Sequence, residues 1–231
     1  MNVGLMGFGK AGRAVASVLL ESKEVNLRWI VRKSRTLEHR SVAEFLGIKT
    51  KNPVVIHSVE DIGSTELLNT FPVDVVVDFS SETGIDYYGE EAARRGVTII
   101  SAISRYSPEK LAYIDSLAKR TKVMHSPNIT IGINFLMTAA KILKNIAPYT
   151  DIEIIEEHYK KKPEVSGTAK KIAHKLDIPQ KSIKTIRAGG IISVHEILFG
   201  FPYQTVRLKH EAISREAFGN GILFALVNLP E

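Results

Sequence analysis

The chain has 231 residues, 44% of them hydrophobic and 24% charged, which suffices for a sizeable core and for about one and a half average domains. It contains no cysteine, which excludes disulfides, cysteine-ligated zinc and thiol nucleophiles, and its seven histidines lack metal-ligand spacing, so no metal site is expected. The net charge of +6 is spread along the chain without interleaved aromatic residues, a distribution that favours small anionic ligands and argues against nucleic acid.

The amino-terminal segment carries a dinucleotide-binding pattern. A short apolar strand, Val3 to Met6, precedes Gly7-Phe8-Gly9-Lys10-Ala11-Gly12 and a helix with apolar residues at helical spacing. In this context the first glycine makes the tight turn, the second lets a pyrophosphate approach, and the third lets the helix pack on the strand. No signal peptide precedes this strand, and no later apolar run approaches the roughly twenty residues that cross a bilayer. We therefore expect a cytoplasmic protein without a membrane partner.

The end of the second predicted strand, Val25 to Val31, bears on the choice of cofactor. About twenty residues after the glycines, where an NAD enzyme normally has an acid for the ribose 2′-hydroxyl, the chain reads Arg32-Lys33-Ser34. Two cations at this point predict NADPH, whose 2′-phosphate they would contact. Two alternatives remain open: Arg32 and Lys33 only end a surface strand, or Glu38, the nearest downstream acid, reaches the ribose and NADH is used.

The alternation of strands and helices continues to residue 126. Further strands are predicted at Val54–His57, Val73–Phe79, Val97–Ile100 and Val123–Met124, with helices around Glu90–Ala93 and over Pro108–Arg120. Doubly wound sheets bind ligands at the carboxyl ends of their strands. Phe79 and Ser80 follow one such strand, and Ser101 and Ser104 follow the next. The fold class predicted here is α/β, with an N-terminal Rossmann domain.

The rhythm breaks at Ser126-Pro127-Asn128, where a second domain begins. A long helix is predicted at Gly132–Ile146, strand-like runs at Ile191–Phe199 and Thr205–Lys209, and a final helix at Ser214–Leu229 that returns to the first domain. These elements predict an α+β domain on an open mixed or antiparallel sheet, whose edges favour self-association into a homo-oligomer. We assign residues 1–126 with 210–231 to nucleotide binding, and 127–209 to substrate binding and oligomerisation.

Residues 151–169 carry the side chains best suited to acid–base chemistry. The stretch alternates apolar and polar residues through Glu157, with Ile152, Ile154 and Ile155 read as apolar positions against Asp151, Glu153 and Glu156, which predicts a half-buried strand. Ser166 can cap the next helix, where the backbone N–H groups of Gly167 and Thr168 could bind a carboxylate or phosphate. His158 and Lys162 can pass a proton near neutral pH. The alternative is an ordinary cap after a solvated lysine run.

Several motifs in order along nearly the whole chain carry a resemblance. After the glycine fingerprint come Asp78-Phe79-Ser80-Ser81, Ser126-Pro127-Asn128, Gly132-Ile133-Asn134, Glu157-His158 with Lys162, Ser166-Gly167-Thr168-Ala169, Arg187-Ala188-Gly189, Val194-His195-Glu196, His210, and Ser214-Arg215 with Phe218 and Gly221. This ordered set resembles the 4-hydroxy-tetrahydrodipicolinate reductases of lysine and diaminopimelate biosynthesis. The order is far more specific than any single motif.

The resemblance implies hydride transfer from NAD(P)H to a cyclic, imine-containing dicarboxylate with loss of water, by a homotetramer. It places His158 as proton donor or acceptor and Lys162 as the cation that contacts the substrate and supplies the proton. His195 and His210 are interpreted as structural. The remaining family contacts fall, for the substrate, on Tyr159, Ser166, Gly167 and Thr168 and, for the cofactor, on Phe79, Ser80, Ser101, Ser104 and Asn128.

The chain departs from the family pattern in two loops. Ser101-Ala102-Ile103-Ser104 stands where the family has Gly-Thr-Thr-Gly, and an apolar Ile103 predicts weaker dicarboxylate binding. The loop before Ser166 is one residue shorter than in the family, with Val165 in place of Ala-Pro. Two alternatives follow: a paralogous NADP-dependent reductase or amino-acid dehydrogenase that acts on another small anionic imine, and a non-catalytic NADP(H)-sensing protein.

Overall fold

The computed structural model describes residues 1–50 and 53–228. The chain forms two compact units, Met1–Pro127 with Phe218–Glu231, and Asn128–Ala217. The sequence placed the second boundary after Lys209, within what is a continuous strand at Gln204–Ala212, whereas the units divide after Ala217. Among the described residues, no helix has both the length and the apolar character needed to cross a membrane.

The first unit is a parallel six-stranded sheet. Its strands are β1 (Asn2–Met6), β2 (Asn26–Arg32), β3 (Val55–Ser58), β4 (Val75–Asp78), β5 (Thr98–Ser101) and β6 (Val123–His125), and its helices are α1 (Lys10–Glu21), α2 (Val42–Leu46), α3 (Ser64–Thr70), α4 (Gly84–Arg94) and α5 (Pro108–Leu117). The strand order across the sheet is β3-β2-β1-β4-β5-β6. From the central pair β1 and β4, the strands follow in chain order towards both edges, as in dinucleotide-binding sheets. The predicted Rossmann domain is confirmed.

The core of this unit follows from its apolar strands. All four residues of β4 are buried, as expected of a parallel strand covered on both faces. Trp29 on β2 has no exposed surface, and its indole N–H donates to the Phe71 carbonyl at 3.0 Å. A side chain at Gly4 on β1 would collide with this indole, so a glycine there makes room for the largest residue of the core.

The second unit is a mixed four-stranded sheet that packs against two helices. Its elements are α6 (Ile131–Ile146), β7 (Asp151–His158), α7 (Gly167–Lys175), β8 (Ile183–Arg187), β9 (Ser193–Phe201) and β10 (Gln204–Ala212). The order is β10-β9-β7-β8, antiparallel except between β7 and β8. The predicted mixed sheet is confirmed. The strand β8 was not predicted, because its three central residues are exposed and show no apolar alternation.

The last described helix is α8 (Glu216–Val227). It begins two residues later than predicted, and the predicted end at Leu229 lies outside the described residues. The ring of Phe218 lies 6.4 Å from that of Phe79, and a Cβ at Gly219 would lie 2.6 Å from Val18 Cβ. The body of α8 therefore packs closely on α1, and Gly219 permits that approach.

Candidate active site

The three glycines of the first turn meet the requirements of the motif. Gly7 has φ +95°, and its N–H donates to the Val31 carbonyl at 2.7 Å. A Cβ at Gly7 would lie 2.6 Å from the Phe79 carbonyl oxygen, and a Cβ at Gly12 would collide with the Gly7 carbonyl. Gly9, by contrast, has open space in front of it. Backbone packing requires the first and third glycines, while the second leaves space that a pyrophosphate could occupy.

Phe8 points away from this open space. Its ring is buried and packs edge-on against Phe45 at 5.5 Å, and the Arg13 guanidinium lies 4.8 Å above the Phe45 ring. Phe8 can therefore offer a ligand only its backbone. Lys10 is exposed and Ala11 half-buried in the first turn of α1, where backbone N–H groups lack helical partners. This helix end is suited to a phosphate.

Two cations follow β2. Arg32 is half-buried and Lys33 exposed, and neither side chain forms an ion pair within residues 1–50 and 53–228. Arg35, in contrast, lies 3.6 Å from a Glu60 carboxylate oxygen. Glu38, the alternative ribose ligand, has one buried carboxylate oxygen without a partner in the described chain. Arg32 and Lys33 thus remain available for an anion.

The loop after β4 is held by Asp78. The carboxylate of this residue accepts hydrogen bonds from the Ser80 N–H at 2.8 Å and hydroxyl at 2.6 Å, and from the Tyr88 hydroxyl at 3.0 Å. Burial raises the pKa of Asp78, and the hydrogen bonds from Ser80 and Tyr88 oppose that rise. The Ser80 hydroxyl is therefore committed to Asp78. Phe79 is half-buried beside the turn at Gly7.

The loop after β5 turns its apolar residue inward. Ser101 is fully buried, and its hydroxyl lies 2.8 Å from the Tyr106 hydroxyl. Ile103 is buried in the core formed by β4, β5, α4 and α5, while Ser104 is exposed. Ser101 therefore supports the loop from within, and Ser104 alone of the two predicted serines offers its side chain at the surface. Ile103 acts as a packing residue.

The buried face of β7 carries two ionisable residues. Ile152, Ile154, Glu156 and His158 all lie on this face, as the two-residue period of a strand dictates. The sequence interpretation put Glu156 on the polar face and Ile155 on the apolar face. The structure corrects both assignments, since Glu156 has no exposed surface and Ile155 is only half-buried.

Three groups surround the Glu156 carboxylate. Arg187 Nη2 donates to Oε1 at 2.6 Å, the Ser166 backbone N–H donates to Oε2 at 3.1 Å, and His158 Nδ1 lies 3.1 Å from Oε2. Burial alone would raise the pKa of Glu156, but the contacts from His158, Ser166 and Arg187 outweigh it and hold that pKa well below its ordinary value. Glu156 is therefore an ionised carboxylate inside the second unit.

Ser166 caps α7 and also contacts a buried histidine. Its hydroxyl accepts from the Ala169 N–H at 3.0 Å and lies 2.9 Å from His195 Nε2. The other ring nitrogen of His195 lies 3.3 Å from the Ser193 hydroxyl. Burial lowers the pKa of His195 to about 3, and the charges of His158 and Lys162 act in the same direction. A neutral imidazole thus supports the cap at Ser166.

Lys162 lies in a loop whose backbone is fixed at both sides. Its N–H donates to the Tyr159 carbonyl at 3.0 Å, and its carbonyl accepts from Arg187 Nε at 3.1 Å. The side chain of Lys162 is half-buried, and that of Tyr159 is exposed. Arg187 therefore holds both the Glu156 carboxylate and the loop that bears the predicted proton donor.

The first turn of α7 offers an anion site. The backbone N–H groups of Gly167 and Thr168 make no hydrogen bond within the described residues, and Gly167 faces open space. The Thr168 hydroxyl donates to Asn128 Oδ1 at 2.5 Å, so Asn128, predicted as a cofactor contact, lies beside the predicted substrate contacts in the second unit.

The geometry thus assembles His158, Lys162 and the α7 cap around a pair that the sequence interpretation missed, Glu156 and Arg187. A signal for Glu156 was present, because a residue two positions before His158 on a strand must share its face. Arg187 belonged to a recognised motif, but only the pairing of β8 with β7, which sets it opposite His158, reveals its contact.

Family models match both halves of the chain. The model described as "Dihydrodipicolinate reductase, N-terminus" matches residues 1–129, and that described as "Dihydrodipicolinate reductase, C-terminus" matches residues 129–231. The chain belongs to the dihydrodipicolinate reductase family. Members of this family are NAD(P)H-dependent reductases, so the expected resemblance, enzyme class and nicotinamide cofactor are confirmed.

Individual relatives agree with this assignment to the dihydrodipicolinate reductases. The 4-hydroxy-tetrahydrodipicolinate reductase of Caldanaerobacter subterraneus subsp. tengcongensis is 32% identical over 174 residues, covering 66% of this chain and 69% of the relative. That of Exiguobacterium sp. is 29% identical and covers 99% of this chain and 90% of the relative. The dipicolinate-bound dihydrodipicolinate reductase from Paenisporosarcina sp. TG-14 has the same fold, with a TM-score of 0.78 at 22% identity over 98% of this chain and 93% of that one.

Proposed function

We propose that this dihydrodipicolinate reductase family member reduces 4-hydroxy-tetrahydrodipicolinate to tetrahydrodipicolinate with NAD(P)H, in lysine and diaminopimelate biosynthesis. The observation that carries the proposal is the cluster of His158, Lys162 and the α7 cap around a buried Glu156–Arg187 pair. Cytoplasmic location and a homotetramer built through the sheet of the second unit are part of the same proposal.

The roles of the side chains follow from the net reaction, which takes up one hydride and one proton and releases water. The nicotinamide supplies the hydride when it is bound. The free N–H groups of Gly167 and Thr168 hold one substrate carboxylate at the positive end of α7. Lys162 contacts the dianion and supplies the proton, and His158 donates or accepts a proton at Nε2, since its Nδ1 is buried. Tyr159 flanks this loop.

For the cofactor, we propose contacts from the turn Gly7–Gly12, the loops at Phe79–Ser80 and Ser101–Ser104, and Asn128. Phe8 and Ser101 would contribute only their backbones to these contacts, because both side chains are buried. Arg32 and Lys33, which form no ion pair in the described part of the chain, favour NADPH over NADH because their charges can pair with its 2′-phosphate.

Binding of a stable planar dianion tests the substrate site separately from turnover. The reductase from Paenisporosarcina sp. TG-14 is described as dipicolinate-bound. Calorimetric titration of dipicolinate into this protein with NADPH present should show one site per chain, and Lys162→Ala should weaken it at least tenfold, the loss of one contact to a charged group. Lys161→Ala, which removes a neighbouring exposed lysine, should bind as the wild type does. No dipicolinate binding would favour the paralogue or the sensing protein.

A further inference from the structure

Glu156 is an unexpected residue for its position. The face of β7 that packs on α6 and α7 is otherwise apolar up to this point, and a carboxylate with no exposed surface is costly unless it is paired. Arg187 and the Ser166 N–H pair with it, on Oε1 and Oε2 respectively. These two contacts keep the carboxylate ionised where it faces His158.

The contact with His158 fixes the location of a proton. Nδ1 is shut off from solvent and lies 3.1 Å from Glu156 Oε2, within ion-pair distance, although it is not aligned as a hydrogen bond. A lone pair on Nδ1 would face the negative charge and be repelled, whereas an N–H at Nδ1 is attracted. The tautomer of a neutral histidine is set in this way by the partner of one of its nitrogens.

The other charged and titratable groups around His158 lie on different elements. His195 on β9 meets the ring edge-on at 5.4 Å, and it is opposite Glu156 in the sheet. Arg187 on β8 is opposite His158. Lys162 follows in the loop and is linked to Arg187 through its carbonyl. His195 is neutral, and Arg187 and Lys162 are cations. None of these three groups therefore places a second negative charge beside the ring of His158.

We propose that Glu156 is a positioning residue that keeps the proton of neutral His158 on Nδ1 and so presents Nε2 to the substrate as a proton acceptor. The inference rests on the proposed function, because it assigns His158 its part in that reaction. In the loss of water, the ring accepts at Nε2 the proton that the substrate loses from carbon, becomes an imidazolium stabilised by Glu156, and returns that proton from Nε2 to the hydroxyl that leaves as water. The proton on Nδ1 stays on the ring and faces Glu156 throughout, so the ring returns to its starting form.

Glu156→Gln tests this role, because it keeps the size of the side chain and removes its charge. Nitrogen-15 NMR of labelled histidines reports the tautomer of neutral His158 without any turnover. We expect Nδ1–H in the wild type and a substantial Nε2–H population in Glu156→Gln. We also expect kcat to fall at least tenfold, within the range of general acid–base contributions, with the KM for NADPH unchanged. Glu156→Asp, which keeps the charge, should recover part of the loss.

Glu153→Gln is the matched control. Glu153 lies on the same strand but on the partly exposed face, where it pairs with Lys184 at 3.3 Å. The same chemical change there should alter neither the His158 tautomer nor kcat. If Glu156→Gln does not fold, Glu156→Gln combined with Arg187→Met removes both buried charges together and should show the same tautomer change.

The two measurements separate the possible failures. An unchanged Nδ1–H tautomer in the variant would overturn the proposal, and so would a changed tautomer with kcat within twofold of the wild type. A wild-type protein that does not turn over the substrate would count against the proposed function, while the tautomer comparison would still decide whether Glu156 orients His158.

Discussion

At the scale of single residues, burial makes stability depend on pH. His195 binds its proton with a pKa lowered to about 3 in the folded chain, against an ordinary value of 6.5. Between these values the unfolded chain binds more protons than the folded one, so the free energy of unfolding rises with pH and is lost as pH falls. The lowered pKa of Glu156 acts in the same direction at more acid pH.

We therefore predict that the free energy of unfolding, measured by urea titration, decreases steadily from pH 6.5 towards pH 4. In His195→Asn the decrease should be smaller, because the variant lacks the imidazole whose burial opposes protonation. The exposed His174 provides the control, since His174→Asn should leave the slope unchanged. A wild-type stability that is flat over this range would contradict the assigned environment of His195.

The interpretation of Ile103 changes once the direction of its side chain in the loop is known. The sequence departure predicted weak dicarboxylate binding, but the side chain is packed in the core. Ile103→Thr, which restores the family's residue type, should therefore destabilise the fold by about 2 kcal/mol through lost packing and a buried hydroxyl. The KM for substrate should stay close to that of the wild type, because the side chain of Ile103 faces the core. Urea unfolding and steady-state kinetics check both parts, and a large improvement in KM with unchanged stability would contradict the packing role. Ser104→Thr, on the exposed part of the loop, is the control for stability alone.

Arg32 and Lys33 together should decide cofactor preference. Replacing both by serine removes two charges that would meet the 2′-phosphate and should raise the KM for NADPH roughly ten- to a hundredfold, while the KM for NADH changes little. Arg28→Ser, at an exposed position on the same strand as Arg32, should leave both values unchanged. An equal effect of the double change on NADPH and NADH would contradict a role in recognising the phosphate.

At the scale of elements, the turn between β1 and α1 assigns different roles to its glycines. A Cβ at Gly12 would collide with backbone at Gly7, so Gly12→Ala should destabilise the first unit and lower its melting temperature. Gly9→Ala has free space and should fold normally, but its methyl group would lie where the pyrophosphate approaches and should weaken NADPH binding. Thermal melts and cofactor titration separate the two effects. Equal loss of stability in both variants would contradict this division.

Local patterns were sufficient to predict several elements. The glycine spacing and the following amphipathic helix predicted β1, the turn and α1, and the alternation in 151–157 predicted β7. Ser166 was correctly predicted as the cap of α7, because a serine before a helical apolar pattern acts locally. These predictions succeeded because each depends on residues a few positions apart.

Other features could not be predicted, because they depend on pairing between distant segments. The strand β8 exists because it pairs with β7, and its own residues carry no strand pattern. Burial of Glu156 is tolerated only because Arg187 arrives from that strand. The inward direction of Ile103 likewise depends on the core between α4 and α5. From charge and polarity alone, Glu156 was assigned to the polar face of its strand and Ile103 to the ligand-binding surface.

At the scale of the whole molecule, one chain combines a nucleotide-binding unit and a proton-handling unit. Each unit is matched by its own half of the family description, and the motifs that suggested the family occur in order through both. Because nucleotide binding and proton handling belong to different units, we expect mutations to separate cofactor binding from proton delivery. A proton-handling residue of the second unit, such as Lys162, should affect turnover without affecting cofactor affinity.

The most direct measurement is the oxidation of NADPH or NADH, followed by absorbance, with 4-hydroxy-tetrahydrodipicolinate generated in place by its synthase. We predict rapid oxidation that requires the synthase. In Lys162→Ala the rate should fall on the order of a hundredfold or more with cofactor affinity unchanged, whereas Lys161→Ala should stay near the wild type. Absence of oxidation with either cofactor, in protein that demonstrably binds NADPH, would contradict the proposed reaction.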